Sequence, residues 1–547
     1  MFKSSLYKCF SIIIVITFII SPISTISSQN TNILTQTLTS QEKDALTKHF
    51  LSDANQIANV LIKSAVKDNV SGLKWNKYYN LTDTLHHKYF FGYYYGAAGI
   101  GNYFTNLYNQ TLNATYLNIA IQSYNYINAH AIENGSYYDS FFSKPGFVFW
   151  LRSETDPYVY IGIKYGNPGF SNFLFNLYLN TMNRTYLNLG LKSLETLIYT
   201  ARKGSEIAPW NTGIYWPYSL STSDTITDVI YGDAGITSSF LNAYKITKNE
   251  TYLNIATQAI SFIISESGIT NNSTNGQRFI RFSPSPFYPF TFTGYLTGAS
   301  GIGSVILEYY QITKNPDYLL FAEQIGNWLA ANGTNGLWNV GGADLLTNSI
   351  NSAGSFTGFG AGSAGIGMFL LDLYNATSKN TYLKVIKQIT NMYTKEAIIA
   401  GDTISFYTKI GDPTQKVIQT DLKMGLAGIG LYFSTLYHYF GLNESLNFLN
   451  GLVNYLDSEK DSNGIIPKTI GLGNSDNTNY DLSLLEGIAG IGYFYLIAFH
   501  YLNSTIIFKS SVYMTLNINS GSVPGFETVP FFIVIIFLWV KKKRNEI

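Results

Sequence analysis

The 547-residue chain carries a net charge of +1, with 13% charged and 16% aromatic residues. Near-neutrality without a basic block inside the body excludes a nucleic-acid-binding face, and the length suffices for a large buried core. The one cysteine, Cys9, lies in the N-terminal leader; beyond it the chain offers no disulfide and no thiolate metal ligand.

In chain order, residues 1–28 read as a secretory signal. Lys3 and Lys8 precede the apolar run 12–20, and 21–28 are mostly small and polar. An uncleaved N-terminal membrane helix is the alternative. A linker over 29–40 leads to a helix expected over about 41–65. Then come seven copies of one signature: Gly96-Ala-Ala-Gly99, Gly166-Asn-Pro-Gly169, Gly232-Asp-Ala-Gly235, Gly298-Ala-Ser-Gly301, Gly362-Ser-Ala-Gly365, Gly425-Leu-Ala-Gly428 and Gly487-Ile-Ala-Gly490. They start 70, 66, 66, 64, 63 and 62 residues apart, a period that marks a repeat architecture.

Each motif opens an apolar segment of helical length. A short polar turn joins it to a second helix with one wet face, at roughly 115–131, 184–200, 250–266, 317–332, 381–397 and 443–457. The 41–65 helix supplies the missing seventh partner. The expected fold is all-α, an (α/α)7 toroid over 41–505 with seven inner and seven outer helices. The paired glycines are expected to let inner backbones approach, with helix N–H groups facing one mouth. The long outer-to-inner connections lie over that mouth, so function is expected there.

After a linker over 506–522, a tail over 523–547 combines Pro524-Gly525-Phe526, an apolar run 529–540 and Lys541-Lys542-Lys543-Arg544. It resembles the PGF-type sorting tails of archaeal surface proteins. The 12-residue run is short for a full span, but the basic cluster behind it places the body outside the cell. Thirteen Asn-x-Ser/Thr sequons between the two ends fit a glycosylated surface protein. Those in the short turns would keep glycans off the mouth.

Seven Gly-x-x-Gly toroid motifs, several continuing as Ala-Gly-Ile, resemble the lanthionine synthetase C-like family over nearly the whole body. That resemblance implies a zinc ion held by two Cys and one His, activating a thiolate. The matching positions here are Thr297, Gly360 and Lys423-Met424, so the resemblance carries the fold and not the zinc chemistry; no metal or cofactor is expected. The ring is also similar, with seven hairpins instead of six, to glycosidases, sugar epimerases and uronate-cleaving enzymes, which use mouth carboxylates and aromatic platforms.

Candidate catalytic carboxylates are therefore Asp156, Asp228, Asp233 and Glu486, with helix capping or a solvated loop position as the competing reading. Candidate substrate contacts are Trp150, Arg152, Trp216, Trp338, His86 and His87, with loop packing as the alternative for the aromatics. The expected partners are an extracellular glycan or peptide in the mouth and a membrane at the tail, with no nucleic acid. Two function classes stay open, a hydrolase or lyase and a non-catalytic surface binder; a cyclase is remote.

Overall fold

The computed structural model describes residue 34 and residues 37–504, apart from 80–88, 134–145, 157, 221, 223, 270–277, 281–289, 340–342, 345–353, 413–415 and 471–479. The leader, the tail, His86 and His87 lie outside the described residues.

Among the described residues fourteen α-helices follow one another: α1 Ser40–Lys63, α2 Ala97–Thr111, α3 Ala114–Ala129, α4 Asn167–Thr181, α5 Arg184–Thr200, α6 Asp233–Thr247, α7 Glu250–Ser265, α8 Ala299–Thr313, α9 Pro316–Asn332, α10 Ser363–Thr377, α11 Asn380–Glu396, α12 Leu426–Phe440, α13 Asn443–Ser458 and α14 Ile488–Asn503. The even-numbered helices form the inner ring, each packed on its two even-numbered neighbours, and α14 closes onto α2. The odd-numbered helices α3 to α13 pair as outer partners with the inner helices before them, and α1 packs on α14. The fold is the all-α toroid of seven hairpins.

The two-residue turn between inner and outer helices has one design. Leu112, Met182, Lys248, Lys314 and Ser378 adopt left-handed φ of 55–57°, and Gly441 takes 67°. In four of the six turns an asparagine then caps the outer helix; Lys379 and Leu442 take that position in the other two. Asn113, Asn183, Asn249 and Asn315 each accept the N–H two residues on at 3.0 Å, satisfying an end donor that the helix cannot. Three of these asparagines begin sequons, so capping is itself a reason for asparagine there.

The glycines act differently from expectation. A Cβ on Gly96 would lie 2.1 Å from the carbonyl oxygen of Phe90, and one on Gly99 1.8 Å from that of Tyr93. Each motif glycine thus meets the chain six residues earlier, folded back over the helix start, instead of a neighbouring helix backbone. The second glycine also seats a side chain from the unit before it: Gly99 faces Leu484, and Gly169 faces Tyr93. The fold-back uses up the helix-start donors as well. Ala97 N–H bonds Phe90 O at 2.9 Å, and Asp233 N–H bonds Ile226 O at 2.9 Å. In the first, third and fourth units the helix-start N–H groups expected to be open are thus already bonded.

Ring closure is visible in single hydrogen bonds. Seven residues, each two positions before a motif glycine, donate in sequence around the axis. Tyr94 bonds Lys164 O, Lys164 bonds Ile230 O, Ile230 bonds Leu296 O, and Leu296 bonds Gly360 O. Gly360 bonds Lys423 O, Lys423 bonds Leu485 O, and Leu485 returns to Tyr94 O, all at 2.5–3.4 Å. Below this floor the preceding side chains, including Tyr93, Ile163, Val229, Tyr295 and Leu484, are buried and plug the axis. Deeper in the bore, polar side chains replace the apolar lining expected of fully buried helices. Asn176 donates to Asn102 at 2.7 Å, Asn242 to Asn172 at 3.2 Å and Tyr439 to Asp372 at 2.7 Å.

Among the described residues the connections carry eight two-stranded antiparallel ribbons. Five lie within one connection, such as Arg202–Lys203 with Ile214–Tyr215; three join neighbouring connections, such as Ile418–Gln419 with Thr469–Ile470. Strands of two or three residues have too few positions for a period of two to show.

Candidate functional site

The two residues before each motif glycine rise from the hydrogen-bonded floor to the rim. In the first three units they include Tyr95, Lys164, Tyr165 and Tyr231; in the last two, Lys423 and Glu486. Lys77 and Lys468 reach the same place from the overlying connections. Together they make one connected cluster.

Glu486 is its anchor. Its Oε1 accepts from Tyr95 Oη at 2.5 Å and Lys423 Nζ at 3.0 Å, and its Oε2 from Lys468 Nζ at 2.7 Å. Lys77 Nζ stands 3.7 Å from Oε2 and 3.3 Å from Asp481 Oδ2. Burial alone would raise the Glu486 carboxyl, but the charges of Lys423 and Lys468, with hydrogen bonds from Lys468 and Tyr95, hold it well below the usual carboxylate range.

Beside it runs an arc of tyrosines. Ring centroids are 5.7 Å apart from Tyr95 to Tyr165, 5.6 Å to Tyr160, 5.3 Å to Tyr218 and 5.6 Å to Tyr231. Lys164 lies inside the arc, 4.6–5.0 Å from the ring centres of Tyr95, Tyr165 and Tyr231, and donates to Tyr231 Oη at 2.7 Å. Burial, then the charge of Lys423, brings its ammonium down to about 8 against the pull of Glu486. Lys164, Tyr160, Tyr218, Tyr231, Lys423 and Glu486 are all half-buried, so the cluster meets solvent.

Of the four candidate carboxylates, Glu486 stands in this cluster. Asp156 adjoins it indirectly: its Oδ2 is 3.0 Å from Arg152 Nη1, and the Arg152 guanidinium lies 4.8 Å from the Tyr165 ring centre. Asp228 and Asp233 are corrections, both with no exposed surface. Asp228 accepts the Tyr231 N–H at 2.7 Å, bracing the turn before the third motif, and burial raises its carboxyl to about 8. Asp233 accepts from Trp216 N–H at 2.9 Å and the Thr225 hydroxyl at 3.1 Å, and burial raises it well above the ordinary range. Asp228 braces its own turn, Asp233 ties two loop segments together, and both are fully buried.

The expected tryptophan platform is also corrected. Trp75, Trp150, Trp216 and Trp338 are buried. Their indole N–H groups donate to Leu61, Ile127, Leu197 and Leu329 carbonyls at 2.8–2.9 Å. Each thereby satisfies a carbonyl in the last turns of the preceding outer helix. The aromatic faces around the Lys164–Glu486 cluster are tyrosines instead. Its sequence signal was position: Tyr95, Tyr165 and Tyr231 each directly precede a motif glycine, as Glu486 does.

Two further groups could offer metal-ligand atoms, His49–Asp53–Asp457 and Asp68–His130–Glu154. A lysine ammonium already sits in each. Lys460 lies 3.0 Å from Asp53 and 2.6 Å from Asp457; Lys74 lies 3.0 Å from Asp68 and 2.7 Å from Glu154.

A family model described as lanthionine synthetase C-like protein matches residues 219–349, from the connection before α6 into the one after α9. No curated protein matches the chain. Solved structures with a similar course include a family 76 glycoside hydrolase from a bovine Bacteroides thetaiotaomicron strain, 12% identical, covering 83% of this chain and 77% of that one at a TM-score of 0.43. Another is a cellobiose 2-epimerase from Bacillus thermoamylovorans, 10% identical, covering 82% and 98% at a TM-score of 0.44. At such values they carry no argument about activity.

Proposed function

We propose that this chain is an exported toroid, held at the outer face of the membrane by its C-terminal tail, and that its mouth binds glycan. The observation that carries the reading is the half-buried tyrosine arc around Lys164, fixed to Glu486 through Tyr95. Flat aromatic faces suit the C–H faces of sugar rings, and phenol and ammonium groups at their edges suit hydroxyls. Leader and tail composition support the location; nothing in the toroid opposes it.

Binding is favoured over two-carboxylate hydrolysis by the state of the acids. Glu486 is ion-paired and held ionised, Asp156 is paired with Arg152, and Asp228 and Asp233 face inward. None is a proton donor poised at the rim, which acid-assisted glycoside cleavage requires. Zinc-assisted thiol addition is not proposed either. At the positions where family ligands stand, Gly360 has no side chain, and the Lys423 ammonium is paired with Glu486 at 3.0 Å; neither is a zinc donor.

A glycan array with the purified protein tests the reading. Retention of defined saccharides, weakened by about tenfold or more in Tyr165→Ala and Tyr231→Ala, is the expected result; no retained saccharide overturns it. One observation favours an enzyme as second reading: Lys164, near pKa 8, is partly neutral close to physiological pH and suited to take a proton. Turnover of a retained glycan that disappears in Lys164→Met would establish that reading.

A further inference from the structure

We propose, building on the glycan reading of the mouth, that the ligand is an anionic saccharide. Its carboxylate or sulfate sits between Lys164 and Lys423 while a sugar ring lies against the tyrosine arc. The charges at the rim do not balance. Five cationic side chains converge there: Lys77, Arg152, Lys164, Lys423 and Lys468. Three carboxylates answer them at ion-pair distance, while the buried Asp421 and Asp228 act on Lys423, Lys468 and Lys164 only from beyond it. Asp156 takes Arg152, Asp481 takes Lys77, and Glu486 is shared by Lys423, Lys468 and Lys77. Among the described residues, Lys164 has no carboxylate within ion-pair reach; its hydrogen bond goes to Tyr231 Oη.

The arrangement is held by the floor. Lys164 and Lys423 both belong to the closed ring of backbone hydrogen bonds, so their main chains cannot drift apart to relieve repulsion. Converging ammonium groups on a rigid frame, open to solvent, form a site that an anion completes.

The same floor argues for a saccharide over an acidic peptide. An extended peptide gains affinity from unpaired backbone groups at an edge. Here the floor donors and acceptors are consumed in the ring, and the helix-start donors of the first and third units are consumed by fold-back. Among the described residues, what the cluster itself offers is side-chain chemistry: ammonium groups, phenol hydroxyls and five tyrosine faces.

Calorimetric titration of the full chain decides the matter. The probes are an oligogalacturonate, a sulfated oligosaccharide, the carboxyl-reduced neutral form of the first, and an oligoglutamate of equal charge. At least one anionic saccharide is expected to bind about tenfold or more tighter than the neutral form, with affinity falling as salt rises. Which of the two binds names the anionic group. Lys164→Met and Lys423→Gln should each remove about tenfold, and Lys409→Met, paired with Asp412 away from the cluster, should change nothing. Should one lysine variant melt early, the other, checked for an unchanged melting temperature, decides.

Equal binding of the neutral form, or no loss in the folded lysine variants, overturns this inference and leaves the glycan reading standing. Preference for oligoglutamate overturns it in favour of an acidic peptide. Binding of no saccharide at all removes both.

Discussion

From the sixth unit round to the third, the two positions before the motif glycine include Lys423, Glu486, Tyr95, Lys164, Tyr165 and Tyr231. In the fourth and fifth they are Leu296-Thr297 and Gly360-Ala361. The main chain treats both sides alike: Lys164 bonds Ile230 O at 3.1 Å, and Leu296 bonds Gly360 O at 2.9 Å. The ring therefore needs no tyrosine, lysine or glutamate to close. Charged and aromatic residues on one side only, with their desolvation cost, are an addition to the scaffold, and it is there that a ligand is proposed.

The largest expected effect tests whether the scaffold is common to both sides. Gly99→Ala on the charged side and Gly365→Ala on the bare side place a Cβ 1.8 Å and 2.0 Å from a loop carbonyl oxygen. Each should lose about 3 kcal/mol in urea denaturation. Tolerance on one side alone would break the symmetry of the frame.

Side-chain exchange should then separate the two sides. Glu486→Gln leaves Lys423, Lys468 and Lys77 without their shared counter-charge and should cost about 2 kcal/mol. Thr297→Ala at the matching bare position should stay within about 0.5 kcal/mol. Equal costs would mean that Glu486 is not an anchor.

Titration sharpens the contrast further. The folded Lys164 ammonium titrates near 8 against an ordinary 10.5, so between those values the unfolded chain holds more protons. Stability from this group is lowest below pH 8 and rises as pH climbs from about 8 to 10.5. Melting temperatures across that window should show the rise in the native chain and lose it in Lys164→Met. Asp228 runs the other way. Its folded carboxyl is raised to about 8 from 3.8, so its contribution is full below 3.8 and is lost as pH climbs towards 8. Asp228→Asn should remove that loss and leave glycan binding unchanged; a binding defect would return Asp228 to the mouth.

The smallest effect belongs to the opposite face, where the turns are interchangeable. Leu112 holds a left-handed φ of 56° with an exposed side chain. Leu112→Gly should gain about 0.5 kcal/mol, relief of strain being partly offset by a freer unfolded chain, read as a small rise in melting temperature.

Much of the toroid was legible beforehand because its causes are local and repeat. The Gly motifs, the apolar periods and the short polar turns between paired helices are short-range patterns. The candidate site was legible in part. Glu486 could be read from its place beside Gly487, and Tyr95, Tyr165 and Tyr231 share that signal. Trp150, Trp216 and Trp338 misled because they stand 21, 16 and 6 residues beyond their outer helices, with no fixed spacing to show that each serves a helix end. Asp228 and Asp233 misled because a carboxylate near a helix start looks the same in sequence whether it faces solvent or a buried loop N–H.

By itself, then, the amino-acid order determined the number of hairpins, their succession and the face on which the long connections lie, since propensity, capping and apolar period act within a few residues. Tertiary structure alone decided that seven main-chain hydrogen bonds close a floor. It also decided that Lys77, Lys423, Lys468 and Tyr95 meet on one carboxylate, and that Lys164 stands within their field with no carboxylate at ion-pair distance among the described residues. Those groups come from connections hundreds of residues apart, and charge, burial and hydrogen bonding act through space once the ring has brought them together.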